Sequence, residues 1–128
     1  MRAALALCLT LTPAWAEVPL SAAEFEARTA GRTLTYAQDG RISGREQYLA
    51  GRRVIWAFTG EECKYGVWDE PVPGLICFAY EDAPEQQECW RFYDRAGGLV
   101  AQSELAPEGV LAVMEQSDTG MICGGLGV

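Results

Sequence analysis

The 128-residue sequence contains no histidine. Serine–histidine and cysteine–histidine nucleophilic pairs and imidazole metal sites are therefore excluded by composition. Basic residues are scarce, with 10 Lys and Arg against 18 Asp and Glu and a formal charge of −8. Such a balance argues against nucleic acid or an anionic membrane surface as a partner, because both would repel the chain. No apolar run approaches the roughly 20 residues that a bilayer-spanning helix needs. The five cysteines include no C-x2-C pair. The spacings 14, 12 and 34 along Cys63, Cys77, Cys89 and Cys123 do not resemble a zinc ribbon.

What the sequence does carry begins with an export signal. Arg2 supplies a positive n-region, Ala3 to Leu11 an apolar h-region, and Ala14-Trp15-Ala16 a small-x-small cleavage site. Cleavage after Ala16 leaves 112 of the 128 residues, enough for one domain with its own core. Loss of Arg2 leaves nine basic against eighteen acidic side chains, a formal charge of −9. Cys8 lies within the h-region behind Leu7, where a lipidation site would want a small residue, so no lipid anchor is expected. The expected organisation is a signal peptide over 1–16, one β-rich domain over 17–123 and a flexible tail over 124–128. The expected location is periplasmic or secreted, without membrane insertion. An even count of four remaining cysteines in a small exported chain reads as two disulfides.

Ser21 and Glu24 form a capping-box start for a short helix ending near Gly31, with Phe25 as its one bulky apolar residue. After Gly31 the period changes to two. Strands are expected at 33–36, 46–49, 53–58, 63–68, 75–80, 88–93, 99–103 and 110–114, with a ninth short run at 121–123. The fold class is all-β with one N-terminal helix: a disulfide-stapled antiparallel meander closing into a small barrel or a sandwich. Parity places Val54, Trp56 and Phe58 on one face, as it does Ile76, Phe78 and Tyr80, and Trp90 with Phe92. Lys64 and Trp68 share parity, which suggests a bulge at Gly66.

Acidic pairs at Glu61 and Glu62, Asp69 and Glu70, and Glu81 and Asp82 fall in expected turns, where solvated carboxylates are the default. None carries a mark of burial, and Glu81 to Glu85 lacks a calcium-loop pattern. No catalytic residue, metal or cofactor is expected. The aromatics are richer. Trp56, Trp68, Phe78 and Trp90 are the candidate ligand-binding residues if the interior is hollow. The plainer expectation is that these rings fill the interior as a packed core.

The segments Gly66-Val67-Trp68, Ile76-Cys77-Phe78-Ala79-Tyr80 and Cys89-Trp90-Arg91-Phe92-Tyr93 resemble a G-x-W … C-x-x-Y/W … C-W/Y signature. That signature is associated with small uncharacterised periplasmic β-rich proteins of proteobacteria, domains of unknown function. The resemblance covers residues 33–103 and implies an exported β-rich domain with a Cys77–Cys89 bridge. Cys63 and Cys123 lie outside the signature, which leaves them to each other. Parity adds a separate argument, since Cys77 and Cys89 each lie six residues from Ala83 and would face one another across a hairpin. Cys63–Cys77, symmetric about Glu70, remains the rival pairing, though Pro71 and Pro73 make that connection less regular.

The function expected is a binding or accessory role in a monomeric, non-enzymatic exported domain, with an unknown protein or a small apolar ligand as partner. The competing readings are a carrier of an apolar ligand in a lipocalin- or avidin-like barrel, and an inhibitor of an exported hydrolase.

Overall fold

Asp39-Gly40 joins the first two strands as a two-residue hairpin loop, both residues at positive φ (50° and 77°). That is the twist an Asp-Gly turn supplies to tightly paired strands. A computed structural model describes residues 17–96 and 98–123; the expected leader 1–16 and tail 124–128 lie outside them. One helix, α1 (Ala22–Thr29), precedes eight strands. The strands are β1 (Thr33–Gln38), β2 (Arg41–Tyr48), β3 (Arg53–Phe58), β4 (Lys64–Val72), β5 (Leu75–Tyr80), β6 (Glu88–Arg95), β7 (Gly98–Ser103) and β8 (Val110–Ser117). Each pairs antiparallel with the next, and β8 returns to β1, so the meander closes into an eight-stranded barrel.

Three strand expectations need correction. Residues 121–123 form no strand, because β1 and β8 already pair and leave no open edge for a ninth. β2 starts at Arg41 rather than Glu46, since the Asp-Gly turn carries the ladder on without a gap. The expected bulge at Gly66 is absent: Gly66 pairs in register with Val54 and Tyr80, and β4 runs on to Val72. The register shift lies instead between Asp69 and Val72.

Alternation along the strands sends Leu34, Val54, Ile76, Phe92 and Leu99 into the barrel, where each is buried. The helix covers one end. Ser21 and Glu24 form the capping box, and Phe25 is fully buried against Phe92 (ring centroids 4.3 Å apart), Trp68 (5.1 Å) and Tyr48 (5.5 Å). Glu70 fastens the helix start to the β4–β5 turn, its Oε2 accepting from the backbone N–H of Ala22 and of Gly74 at 2.9 Å each. Leu20 N–H donates to the Phe92 carbonyl at 2.8 Å. At the other end of the helix Arg28 bonds Asp94.

The disulfides are Cys77–Cys89, directly opposed on β5 and β6, and Cys63–Cys123. This is the pairing that the symmetry about Ala83 favoured over Cys63–Cys77. Among the described residues no helix is long and apolar enough to cross a membrane.

Candidate functional site

Because α1 closes only one end, the aromatic side chains of the interior face two different surroundings. Tyr48, Phe78 and Phe92 form a floor whose underside meets Phe25. Above that floor lies a cavity of about 250 Å³ that opens to solvent. The expected aromatic core is present, with Phe78 and Phe92 buried and Trp56 and Trp90 packed against them, but it does not fill the open end, and β2 and β3 supply one reason. Gly44 on β2 lies opposite the strand that carries Trp56, and a Cβ at Gly44 would come within 2.6 Å of the indole. The missing side chain leaves the room over Gly44 that the indole occupies.

Trp56 from β3, Phe78 from β5 and Trp90 from β6 line the cavity. Phe58 stands edge-on to Trp56 at 5.2 Å near the mouth, where it is partly exposed. Trp68, the fourth ligand-binding candidate, is elsewhere. It is buried against Phe25 at the helix end, with the Arg52 guanidinium 4.5 Å over its ring. The structure thus brings three of the four together and gives Trp68 to the helix contact.

The polar half of the cavity was not anticipated. Glu46 of β2 shares parity with Tyr48, so its carboxyl points inward, and the residue is only 4% exposed. Tyr80 donates its hydroxyl proton to Glu46 Oε1 at 2.8 Å. The hydroxyls of Tyr36 and Tyr48 hydrogen-bond to each other at 2.7 Å. Burial removes the water that would stabilise a carboxylate, and the Glu46 pKa is pushed up to about 8. The Tyr80 hydrogen bond works against that rise, while Glu88 at the mouth adds to it. Burial also raises the pKa of Tyr36, Tyr48 and Tyr80, which keeps all three phenols neutral. No buried side-chain nitrogen or oxygen among the described residues lacks a partner.

The acidic pairs flagged in the sequence do not reach this cavity. Glu61, Glu62, Asp69, Glu81 and Asp82 are exposed, and Glu70 is committed to two backbone N–H groups. Glu46 was legible in principle, two residues before an inward tyrosine. It was missed because the strand was expected to begin at that very residue.

The arrangement presents apolar and aromatic walls, one neutral buried carboxyl group and a second acid at the entrance. It can enclose a small ring-bearing molecule and hydrogen-bond one polar group on it. Compared with known protein families, with curated proteins and with solved structures, the chain shows no match.

Proposed function

We propose that the protein is a non-enzymatic, small-ligand-binding barrel working in an oxidising, exported compartment. The observation that carries this reading is the open cavity of about 250 Å³ between Trp56, Phe78 and Trp90. An apolar cavity of about 150 Å³ is enough to hold benzene, so the ligand has about the bulk of one or two rings. This favours the carrier reading over the hydrolase inhibitor, for which nothing comparable speaks. The Glu46 carboxyl is bonded to the Tyr80 hydroxyl, a contact that commits it to the barrel wall.

Two disulfides support export, since cytosolic reductants would open them. N-terminal sequencing of exported protein should find Glu17 first. A start at Met1 would overturn the assigned cleavage site.

Trp56 and Trp90 report directly on occupancy. Titration of the oxidised protein with single- and double-ring aromatic compounds should quench tryptophan fluorescence saturably. Leu111→Trp, which adds bulk to the cavity wall, should weaken the response. Saturable binding that Leu111→Trp leaves unchanged would place the ligand outside the barrel and overturn the proposal.

A further inference from the structure

We infer that the ligand of this cavity is an organic cation, an ammonium group carried on an aromatic or other apolar body. The inference rests on the ligand-binding reading above and names the chemistry of what is bound.

Charge is the first argument. Two carboxyl side chains, Glu46 in the wall and Glu88 at the mouth, belong to the cavity lining, and no Lys or Arg does. Lys64, paired across from Trp56, is engaged already. Its ammonium lies 3.2 Å from Asp82 and 5.6 Å from the Phe58 ring centroid. A bound anion would therefore face two acids, and the one cation at the rim among the described contacts is already paired to Asp82. A neutral apolar molecule would leave the Glu46 carboxyl with Tyr80 as its one partner in a space now emptied of water.

The walls supply the second argument. The aromatic rings of Trp56, Trp90, Phe58 and Tyr80 surround the space next to the carboxyls. Aromatic faces attract cations through the ring quadrupole, and most strongly where water is excluded. At the rim the Lys64–Phe58 contact shows that one of these rings already accepts an ammonium group. An ammonium donating to Glu46 inside that ring set gains a charge-assisted hydrogen bond and cation–π contact together.

In the empty barrel burial holds Glu46 protonated at neutral pH. An entering ammonium stabilises the carboxylate, so Glu46 gives up its proton to solvent and the cavity receives one positive charge as it gains one negative charge. Glu88, Tyr80, Tyr36 and Tyr48 are the other titratable groups facing it, and the three phenols remain neutral.

Three probes of nearly the same shape test the inference: 2-phenylethylammonium, 2-phenylethanol and phenylacetate, each titrated into the oxidised full-length protein. The ammonium should bind at least tenfold more tightly than the alcohol, and phenylacetate most weakly. Calorimetry at pH 7 in buffers of differing ionisation enthalpy should register proton release with the ammonium alone. Glu46→Gln should abolish the preference and the proton release, with an unchanged near-ultraviolet circular dichroism spectrum certifying the fold. Glu88→Gln, at an exposed position, should reduce the preference severalfold. If all three probes bind equally, or the preference survives both substitutions, the cation inference is overturned while the ligand-binding reading stands. If none binds, the ligand-binding reading falls and this inference with it.

Discussion

Tyr80 on β5 donates a 2.8 Å hydrogen bond to Glu46 on β2, joining two strands that are not neighbours in the sheet. The bond spans the barrel interior and couples the cavity's polar group to the stability of the fold. Removing the hydroxyl in Tyr80→Phe leaves the buried carboxyl without that donor. The expected cost is about 1–3 kcal/mol in urea denaturation. The Glu46 pKa should rise further, because the hydrogen bond is what restrains it.

The same residue sets a pH dependence. The folded pKa of Glu46, about 8, lies above the ordinary value of 4.5. The folded chain therefore binds a proton more tightly than the unfolded chain does. Glu46 contributes full stability below pH 4.5, and the contribution declines as pH rises from there through 8. Denaturation midpoints measured between pH 5 and pH 9 should fall for the native sequence. Glu46→Gln should flatten that part of the profile, since its amide still accepts from Tyr80 and does not titrate. A profile unchanged by this substitution would show that Glu46 is not held protonated.

Phe25 stands between the helix and the floor of the cavity, touching Tyr48, Trp68, Phe78 and Phe92. Phe25→Ala should destabilise the protein by about 3–5 kcal/mol, the usual cost of emptying an aromatic site in a core. The helix contributes little other apolar surface apart from Ala22, with Leu20 just before it, so its docking depends on this ring. Guanidinium unfolding measures the loss. A change below about 1 kcal/mol would mean that the helix is not seated in the barrel end.

The local signals of this fold were readable and the global ones were not. Alternation gave the inward placement of Val54 and Trp56, and the capping box gave the helix, because both depend on neighbours within a few residues. The Cys77–Cys89 pairing was legible for the same reason, as the two face each other across one hairpin. Closure was not: nothing in the β1 or β8 sequences states that Thr33 will lie opposite Ser117, so barrel and sandwich stayed equivalent. Trp56 and Trp68 both alternate inward, yet one lines the cavity and the other packs under the helix. Which end a strand position occupies depends on the stagger of the whole barrel. Glu46 owes its partner to a residue 34 positions away, beyond the reach of any local pattern.

Gly44 provides a prediction about the shape of the cavity. A Cβ there would lie 2.4 Å from the Ala57 carbonyl oxygen and 2.6 Å from the Trp56 ring. Gly44→Ala must displace the indole, the β3 backbone or both, at a cost of about 1–3 kcal/mol. Movement of the indole into the lumen should also change the Trp56 emission maximum and weaken ligand binding. Emission and binding that both match the native protein would show that the glycine does not shape the cavity.

The last prediction separates the two disulfides. Cys77 and Cys89 sit 12 residues apart on strands that the ladder already holds side by side. Cys63 and Cys123 sit 60 residues apart, joining the start of β4 to a segment beyond β8 that has no strand partner. In that segment the Met121 N–H donates to the Gln47 side chain at 2.9 Å and Thr119 accepts from the Thr33 hydroxyl at 2.8 Å. The bridge is the covalent anchor of this stretch. Closing the longer loop removes more freedom from the unfolded chain, about 4 kcal/mol against about 3 for the hairpin bridge by the chain-entropy relation. Replacing Cys63 and Cys123 together by serine should therefore lower the denaturation midpoint more than replacing Cys77 and Cys89. It should also expose the chain around Met121 to protease, which the hairpin double variant should not do. Peptide mapping without reductant checks the premise: a fragment linking Cys63 to Cys77 would overturn the connectivity, and equal losses of stability in the two double variants would overturn the ranking.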